Sequence, residues 1–181
     1  MHKRLILDSN QLQITIHRLC QQLIENHNNF DDSAIMGLQP RGIYLAEKIK
    51  ENLEKSLKKS VLLGYLDTTF YRDDFRRRET PVTAKSTQVD FIIERKNVII
   101  VDDVLFTGRS VRAAMDAMMA FGRPRKVELL VLVNRKYSRE LPIEPDYVGK
   151  NVNTIESQKV LVEWVKSGSK SDNVWLITKE D

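Results

Sequence analysis

The chain of 181 residues carries 41% hydrophobic and 30% charged residues with only 7 Gly and 5 Pro, which excludes disordered and collagen-like chains and allows one domain, 1–181, with a full hydrophobic core. Its 29 Lys and Arg against 25 Asp and Glu leave a net charge of +4, a mild bias toward anionic ligands that does not by itself establish nucleic-acid binding. A single cysteine, Cys20, excludes an internal disulfide, no Cys/His group has zinc spacing, and no run approaches the ~18 apolar residues of a membrane span. A cytoplasmic protein with no membrane partner is expected. Lys3 and Arg4 are followed only by Leu5, Ile6 and Leu7 before Asp8, too short for the apolar core of a secretion signal.

Asp8 or Ser9 caps a helix predicted over 10–27, where Leu12, Ile16, Leu19 and Leu23 form one apolar stripe. Ser33 to Leu38 reads as a short buried strand, closed by the turn Gln39-Pro40-Arg41-Gly42. Leu45, Ala46, Ile49, Leu53 and Leu57 then repeat with helical spacing. Val61 to Asp67 is another strand, and 69–85, dense in Arg, Lys, Asp and Glu without a period, is expected to be a long exposed loop or hairpin. Val98 to Val101 is continuously apolar and β-branched, as a strand buried on both faces requires, and Asp102 and Asp103 mark its carboxyl end. A helix with Val111, Ala114, Met115, Met118 and Phe121 inward follows Thr107-Gly108 and ends at Gly122. Val127 to Val133 is the next strand, and Val160 to Val165 with Val174 to Thr178 read as a terminal antiparallel hairpin. Alternating strands and helices predict an α/β fold, a parallel sheet flanked by helices.

Ligands of open α/β sheets collect outside the carboxyl ends of the strands. In Val98 to Ser110 that position carries two carboxylates and then a glycine turn onto a helix N-terminus. Unpaired N–H groups and the hydroxyls of Thr107 and Ser110 suit a phosphate, which Asp102 and Asp103 would repel. A sugar phosphate resolves the conflict, with phosphate on the turn and vicinal hydroxyls or their Mg²⁺ on the carboxylates. The dinucleotide and P-loop glycine patterns are both absent, and His2, His17 and His27 are isolated from one another in the sequence.

The 98–110 segment closely resembles the phosphoribosyl diphosphate signature of type I phosphoribosyltransferases. With Arg41 to Ala46, Tyr71 to Asp74, Gly122-Arg123-Pro124, Arg139 to Ile143 and Asp146 to Asn151, the chain from residue 5 to about 165 resembles the bacterial pyrimidine-operon attenuation regulators that are also uracil phosphoribosyltransferases. The resemblance implies that fold with a small hood and a C-terminal hairpin, a homodimer or homotetramer, and Mg²⁺-dependent conversion of uracil and phosphoribosyl diphosphate to UMP and diphosphate. By it, Thr107, Gly108, Arg109 and Ser110 hold the 5-phosphate with Arg112 close behind, and Val104, Leu105 and Phe106 belong to the same signature. Asp102 and Asp103 take the ribose hydroxyls and Mg²⁺, directly or through water. Pro40, Arg41 and Gly42 form the diphosphate loop, with Arg41 on the leaving group and a cis Gln39–Pro40 bond. Arg72 belongs to the mobile loop over 69–85, and Asn134 with its neighbours matches the hood that recognises the base.

Asn134 replaces an aspartate of the relatives, so a phosphoribosyltransferase for another base, or a UMP- or UTP-sensing RNA-binding attenuator with little catalysis, stands as the alternative. Arg18, Arg139 and Lys150 keep the basic character that contacts leader RNA in the relatives. Asn26 and Glu144 stand where those relatives carry arginine, which predicts weakened RNA binding.

Overall fold

The computed structural model describes residues 2–71 and 86–178. Helix α1, Ser9–His27, opens as the sequence predicts. Asp8 accepts from the Gln11 N–H at 2.8 Å, and the Gln11 side chain accepts from the Asp8 N–H at 3.2 Å. This reciprocal cap satisfies two N–H groups that a helix start leaves unpaired. Its stripe of Leu12, Ile16, Leu19, Cys20 and Leu23 is buried.

Five parallel strands make the main sheet: β2 (Ser33–Leu38), β3 (Leu62–Leu66), β4 (Asn97–Leu105), β5 (Lys126–Lys136) and β6 (Tyr147–Asn153), in spatial order β3-β2-β4-β5-β6. Helices α1 and α2 (Gly42–Leu57) pack on one face with Ile99, Val101, Leu130 and Leu132. Helix α3 (Arg109–Met119) packs on the other with Val98, Ile100, Leu129 and Val131. Alternate residues of β4 and β5 thus go to opposite cores, which is why those strands read as unbroken apolar runs.

A second, antiparallel sheet has the order β1-β8-β7, from β1 (His2–Leu7), β7 (Gln158–Glu163) and β8 (Asn173–Thr178). The predicted hairpin is therefore two thirds of a three-stranded hood. Strand β1 has no local signal: four of its six residues are exposed, and among the described residues it pairs only with β8, more than 160 residues later in the sequence. Strand β6 also escapes the periodicity argument, since it sits at the sheet edge with only Tyr147 and Val152 buried. It follows β5 through 137–146 without a helix between them. Helix α3 stops at Met119, short of the predicted Phe121, and Gly122 turns the chain at φ 134°.

The amino end of the main sheet is closed by polar groups. His27 contacts Glu128 Oε2 at 2.6 Å and Ser33 Oγ at 2.9 Å, Tyr147 donates to Glu128 at 3.2 Å, and Asn26 donates to Tyr147 at 3.0 Å. His27, isolated in the sequence, is thus a buried tie among α1, β2, β5 and β6.

Candidate active site at the carboxyl edge of the sheet

Strand β4 runs on to Leu105, so Asp102 and Asp103 lie within the strand and not beyond an end at Val101. Helix α2 begins directly over them. A Cβ at Gly42 would stand 2.5 Å from the Val101 carbonyl oxygen and 3.1 Å from Asp102 Oδ1, so only glycine lets the helix approach β4 this closely. Burial first, and then the neighbouring Asp103 carboxylate, push the Asp102 carboxyl well above the usual range. Asp102 Oδ1 also accepts from the Asp103 N–H at 2.8 Å. Asp103 Oδ2 accepts from Arg41 Nε at 3.0 Å, and a second Arg41 nitrogen donates to the Val162 carbonyl of β7. One guanidinium therefore joins the 39–42 turn, the acidic pair and the hood. The Gln39–Pro40 bond preceding it is cis, as the resemblance implies.

The turn after β4 is braced from outside. Gly108 has φ 92°, a conformation that L side chains rarely adopt. The Thr107 carbonyl accepts from the N–H groups of Glu140 at 3.0 Å and Leu141 at 3.2 Å, and Thr107 Oγ1 accepts from the Arg109 N–H at 3.3 Å. Arg109 Nε donates to Glu140 at 2.6 Å. The backbone of this turn leads into α3 with Ser110 in its first turn, an arrangement suited to an anion. Arg112 is less well placed, since its guanidinium lies 3.3 Å from Asp116 along the exposed face of α3.

Between the end of β4 and the hood is a cavity of about 270 Å³. Arg41, Asp103, Val104 and Phe106 form one side, and Arg135 with Lys159, Val160 and Leu161 the other. Asn134 is not among its walls. It is 1% exposed, its amide oxygen accepts from Arg139 at 2.6 Å, and its amide nitrogen donates to Asn151 at 3.0 Å. Arg135 enters the sequence reading only as a neighbour of Asn134 and is not singled out there. A second polar residue at the end of an apolar strand was the available signal. The three hood residues carried none, because Lys159, Val160 and Leu161 read only as part of a terminal hairpin and meet β4 through the fold alone. Arg135 Nε donates to Thr154 Oγ1 at 3.0 Å, Nη2 donates to the Gln158 carbonyl at 2.9 Å, and the guanidinium lies 3.9 Å from the centre of the Phe106 ring.

Two of the three candidate RNA contacts are turned onto the chain itself. Arg18 donates to the carbonyls of Val148 and Gly149, and Arg139 to that of Phe106. Lys150 is exposed and shares a groove with Arg4 between β6 and β1. Arg72 and most of the expected mobile loop fall outside the described residues. Among the described residues no helix is long and apolar enough to cross a membrane.

Residues 4–166 match the model of the phosphoribosyl transferase domain. The chain is similar to a protein named bifunctional protein PyrR from Caldicellulosiruptor bescii, 43% identical over 176 residues that cover 97% of this chain and 95% of that one. It is similar to another of that name from Actinobacillus succinogenes, 46% identical over 169 residues, covering 91% and 93%. Among solved structures, a hypoxanthine-guanine phosphoribosyltransferase from Bacillus anthracis superposes with a TM-score of 0.71 at 15% identity, covering 98% of this chain and 100% of that one. At that identity the likeness shows the fold.

Proposed function

The chain belongs to the phosphoribosyl transferase domain family, and on that premise we propose that it transfers the phosphoribosyl group of phosphoribosyl diphosphate to uracil, giving UMP and diphosphate. The observation that carries this reading is the convergence of three parts on one small cavity: the acidic pair of β4, Arg41 at the start of α2, and the hood wall.

In this reading the 5-phosphate sits on the 107–110 turn, held by backbone N–H groups and the positive end of α3. The Arg41 guanidinium, now on Asp103 and the Val162 carbonyl, turns to the diphosphate as it departs. Asp103 is released to the ribose, where its carboxylate faces the positive charge that develops at the anomeric carbon. Asp102, which burial and Asp103 keep protonated to higher pH, offers a hydroxyl-compatible donor or acceptor beside it. The donor set fits Mg²⁺ in the manner of a metal brought in by a phosphate ligand. Asp103 supplies a carboxylate at the cavity, and among the described residues no cluster of three ligating side chains exists that would hold a metal on its own. When bound, the ion neutralises diphosphate charge.

The relatives' name, bifunctional, favours a second activity, RNA-dependent regulation. We place it as the weaker one here, because Arg18 and Arg139 spend guanidinium donors on the chain and Glu144 adds an anion.

The deciding assay incubates the protein with labelled phosphoribosyl diphosphate, Mg²⁺ and a panel of bases. UMP formation is expected. A product from a purine or orotate alone would overturn the uracil assignment, and no nucleotide at all would overturn the enzymatic one. Gel-shift titration with a pyrimidine-operon leader hairpin and UMP, at stated salt, tests the regulator. Nanomolar sequence-specific binding would overturn the weakened-RNA reading.

A further inference from the structure

We propose that an ionic latch between α2 and the connection from β7 to β8, made by Lys166 on Glu47 and Glu51 and by Lys48 on Asp172, holds the hood wall in place over the cavity, which makes these side chains positioning residues for the transfer reaction. The inference rests on the uracil phosphoribosyltransferase reading and supplies the anchor of the hood wall. Lys166, in the short 3₁₀ turn Val165–Ser167, donates to Glu47 Oε2 at 2.8 Å and to Glu51 Oε1 at 3.3 Å. Residues four apart on a helix are neighbours, which lets one ammonium reach both carboxylates. Glu47 Oε1 also accepts from the Tyr65 hydroxyl of β3 at 3.0 Å, so one carboxylate ties the main sheet and the hood connection to α2. Lys48 Nζ lies 2.8 Å from Asp172 Oδ2, while Asp172 Oδ1 accepts from the Val165 N–H at 2.7 Å and the Asp172 carbonyl accepts from Ser9 Oγ at 2.8 Å.

The latch is the second of two polar ties between α2 and the β7 side of the hood. At the start of the helix, Arg41 donates to the Val162 carbonyl. Further along the helix, Glu47, Lys48 and Glu51 hold the chain that follows β7. Turnover releases the first tie, because Arg41 turns to the departing diphosphate. Val160 and Leu161, the neighbours of Val162 in the strand, have to keep the cavity closed at that same moment. Two things still hold them. Val160, Val162 and Trp164 share a core with Leu45 and Ile49 of α2, and that attraction is non-directional. The ion pairs are charge-assisted hydrogen bonds with fixed partners, so they set where along α2 the strand lies.

Nothing neutral replaces them at this junction. Trp164 is fully buried beside the latch, with the Lys48 ammonium 5.9 Å from its ring centre, and its indole N–H finds no acceptor among the described residues. The hydrogen bond to Glu47, ahead of the other neighbours, raises the Lys166 pKa above the ordinary lysine value, so the ammonium stays charged at neutral pH. A single exposed ion pair contributes little and is screened by salt. Here one lysine serves two carboxylates and a second pair grips the same connection, which gives the latch its hold and makes it sensitive to ionic strength. Uracil carries no charge at neutral pH, so a salt dependence of its KM reports ion pairs of the protein itself.

The test is steady-state kinetics of UMP formation by the wild-type chain, Lys166→Glu, Glu47→Lys and the double variant that exchanges the two charges, varying uracil and phosphoribosyl diphosphate separately. Each single reversal is expected to raise the KM for uracil about fivefold while the KM for phosphoribosyl diphosphate stays within about twofold, and the exchange is expected to bring the uracil KM back to within about twofold of wild type. A uracil KM within about twofold of wild type in both single variants overturns the role, as does a double variant no better than the worse single one. A parallel rise of both KM values, which general loosening of the fold would give, overturns it too. If a reversal variant does not fold, Lys166→Met carries the test: raising KCl from about 0.05 to about 0.5 M should raise the uracil KM of wild type and leave that of Lys166→Met unmoved, and an equal response in both overturns the latch. A wild-type chain that makes no UMP overturns the uracil reading, and acrylamide quenching of Trp164 in a Trp175→Phe background then decides the latch by itself. Stronger quenching in Lys166→Glu than in Lys166 protein supports it, and equal quenching overturns it.

Discussion

Replacing Gly42 by alanine is expected to disable catalysis by moving a helix less than an ångström. The added Cβ would lie 2.5 Å from the Val101 carbonyl oxygen, and reaching the 3.4 Å of ordinary contact requires about 0.9 Å of separation between α2 and β4. Neither side yields easily. The obstacle is strand backbone, and α2 is held by Leu45, Ala46, Ile49 and Leu53, all fully buried. Overpacking of this kind costs ~1–3 kcal/mol, which for a chain of this size lowers the melting temperature by about 2–12 °C. The effect on turnover is larger in proportion. Arg41 is the residue immediately before the helix, and a shift of that size breaks its 3.0 Å bond to Asp103. An ångström of misplacement at a reacting centre costs on the order of 10²-fold. Gly149→Ala is the control, because its Cβ would come 2.4 Å from the Leu132 carbonyl oxygen, a clash of the same severity on β6. Melting curves and kcat/KM for UMP formation at 25 °C should show both variants destabilised and only Gly42→Ala about 10²-fold slower. Gly42→Ala activity within threefold of wild type, or an equal loss in Gly149→Ala, would refute the reasoning.

Asp102→Asn should stabilise the fold above the carboxylate range while abolishing transfer. The folded carboxyl keeps its proton to higher pH than the unfolded one, so wild-type stability falls as pH rises from the unfolded value toward the folded one, and asparagine removes that loss. Its advantage in melting temperature is expected at pH 8 and should shrink toward pH 4, about the unfolded value; an advantage independent of pH would count against a raised Asp102 pKa. Burial pushes the Cys20 thiol up to about 12, so a thiol reagent at pH 8 should leave the folded protein unmodified and label it at once in denaturant. Native labelling at the rate of an exposed thiol would show that the α1 stripe opens readily.

The parts legible in the sequence were those whose signal is local. The apolar stripe of α1 with its Asp8 cap, the double-sided burial of β4 and the glycine turn at 107–108 each follow from neighbouring residues. The acidic pair was placed correctly at the carboxyl edge, though the strand extends through it, since two carboxylates look like an ending when only hydropathy is read. What escaped depends on residues distant in sequence. Strand β1 is exposed along most of its length and exists because β8 pairs with it. Asn134 with its neighbours is read as the base-recognising hood by resemblance, and the structure engages both ends of the Asn134 amide elsewhere while putting its neighbour Arg135 in the cavity. Strand parity decides that, and parity is set by the register between β4 and β5.

The pairing of β1 with β8 also sets the order in which the molecule can be completed during synthesis. His2–Leu7 leaves the ribosome before the main sheet does, and its partner Asn173–Thr178 follows only after the whole main sheet has emerged. Until then β7, which carries Val160 and Leu161 on the cavity wall and the Val162 carbonyl that holds Arg41, has neither β8 beside it nor β1 beyond. The 107–110 turn, made from contiguous residues and one nearby strap, can form on a nascent chain, whereas the enclosed cavity has to wait for β8. A stalled or truncated product would carry the 107–110 turn without the wall that closes the cavity.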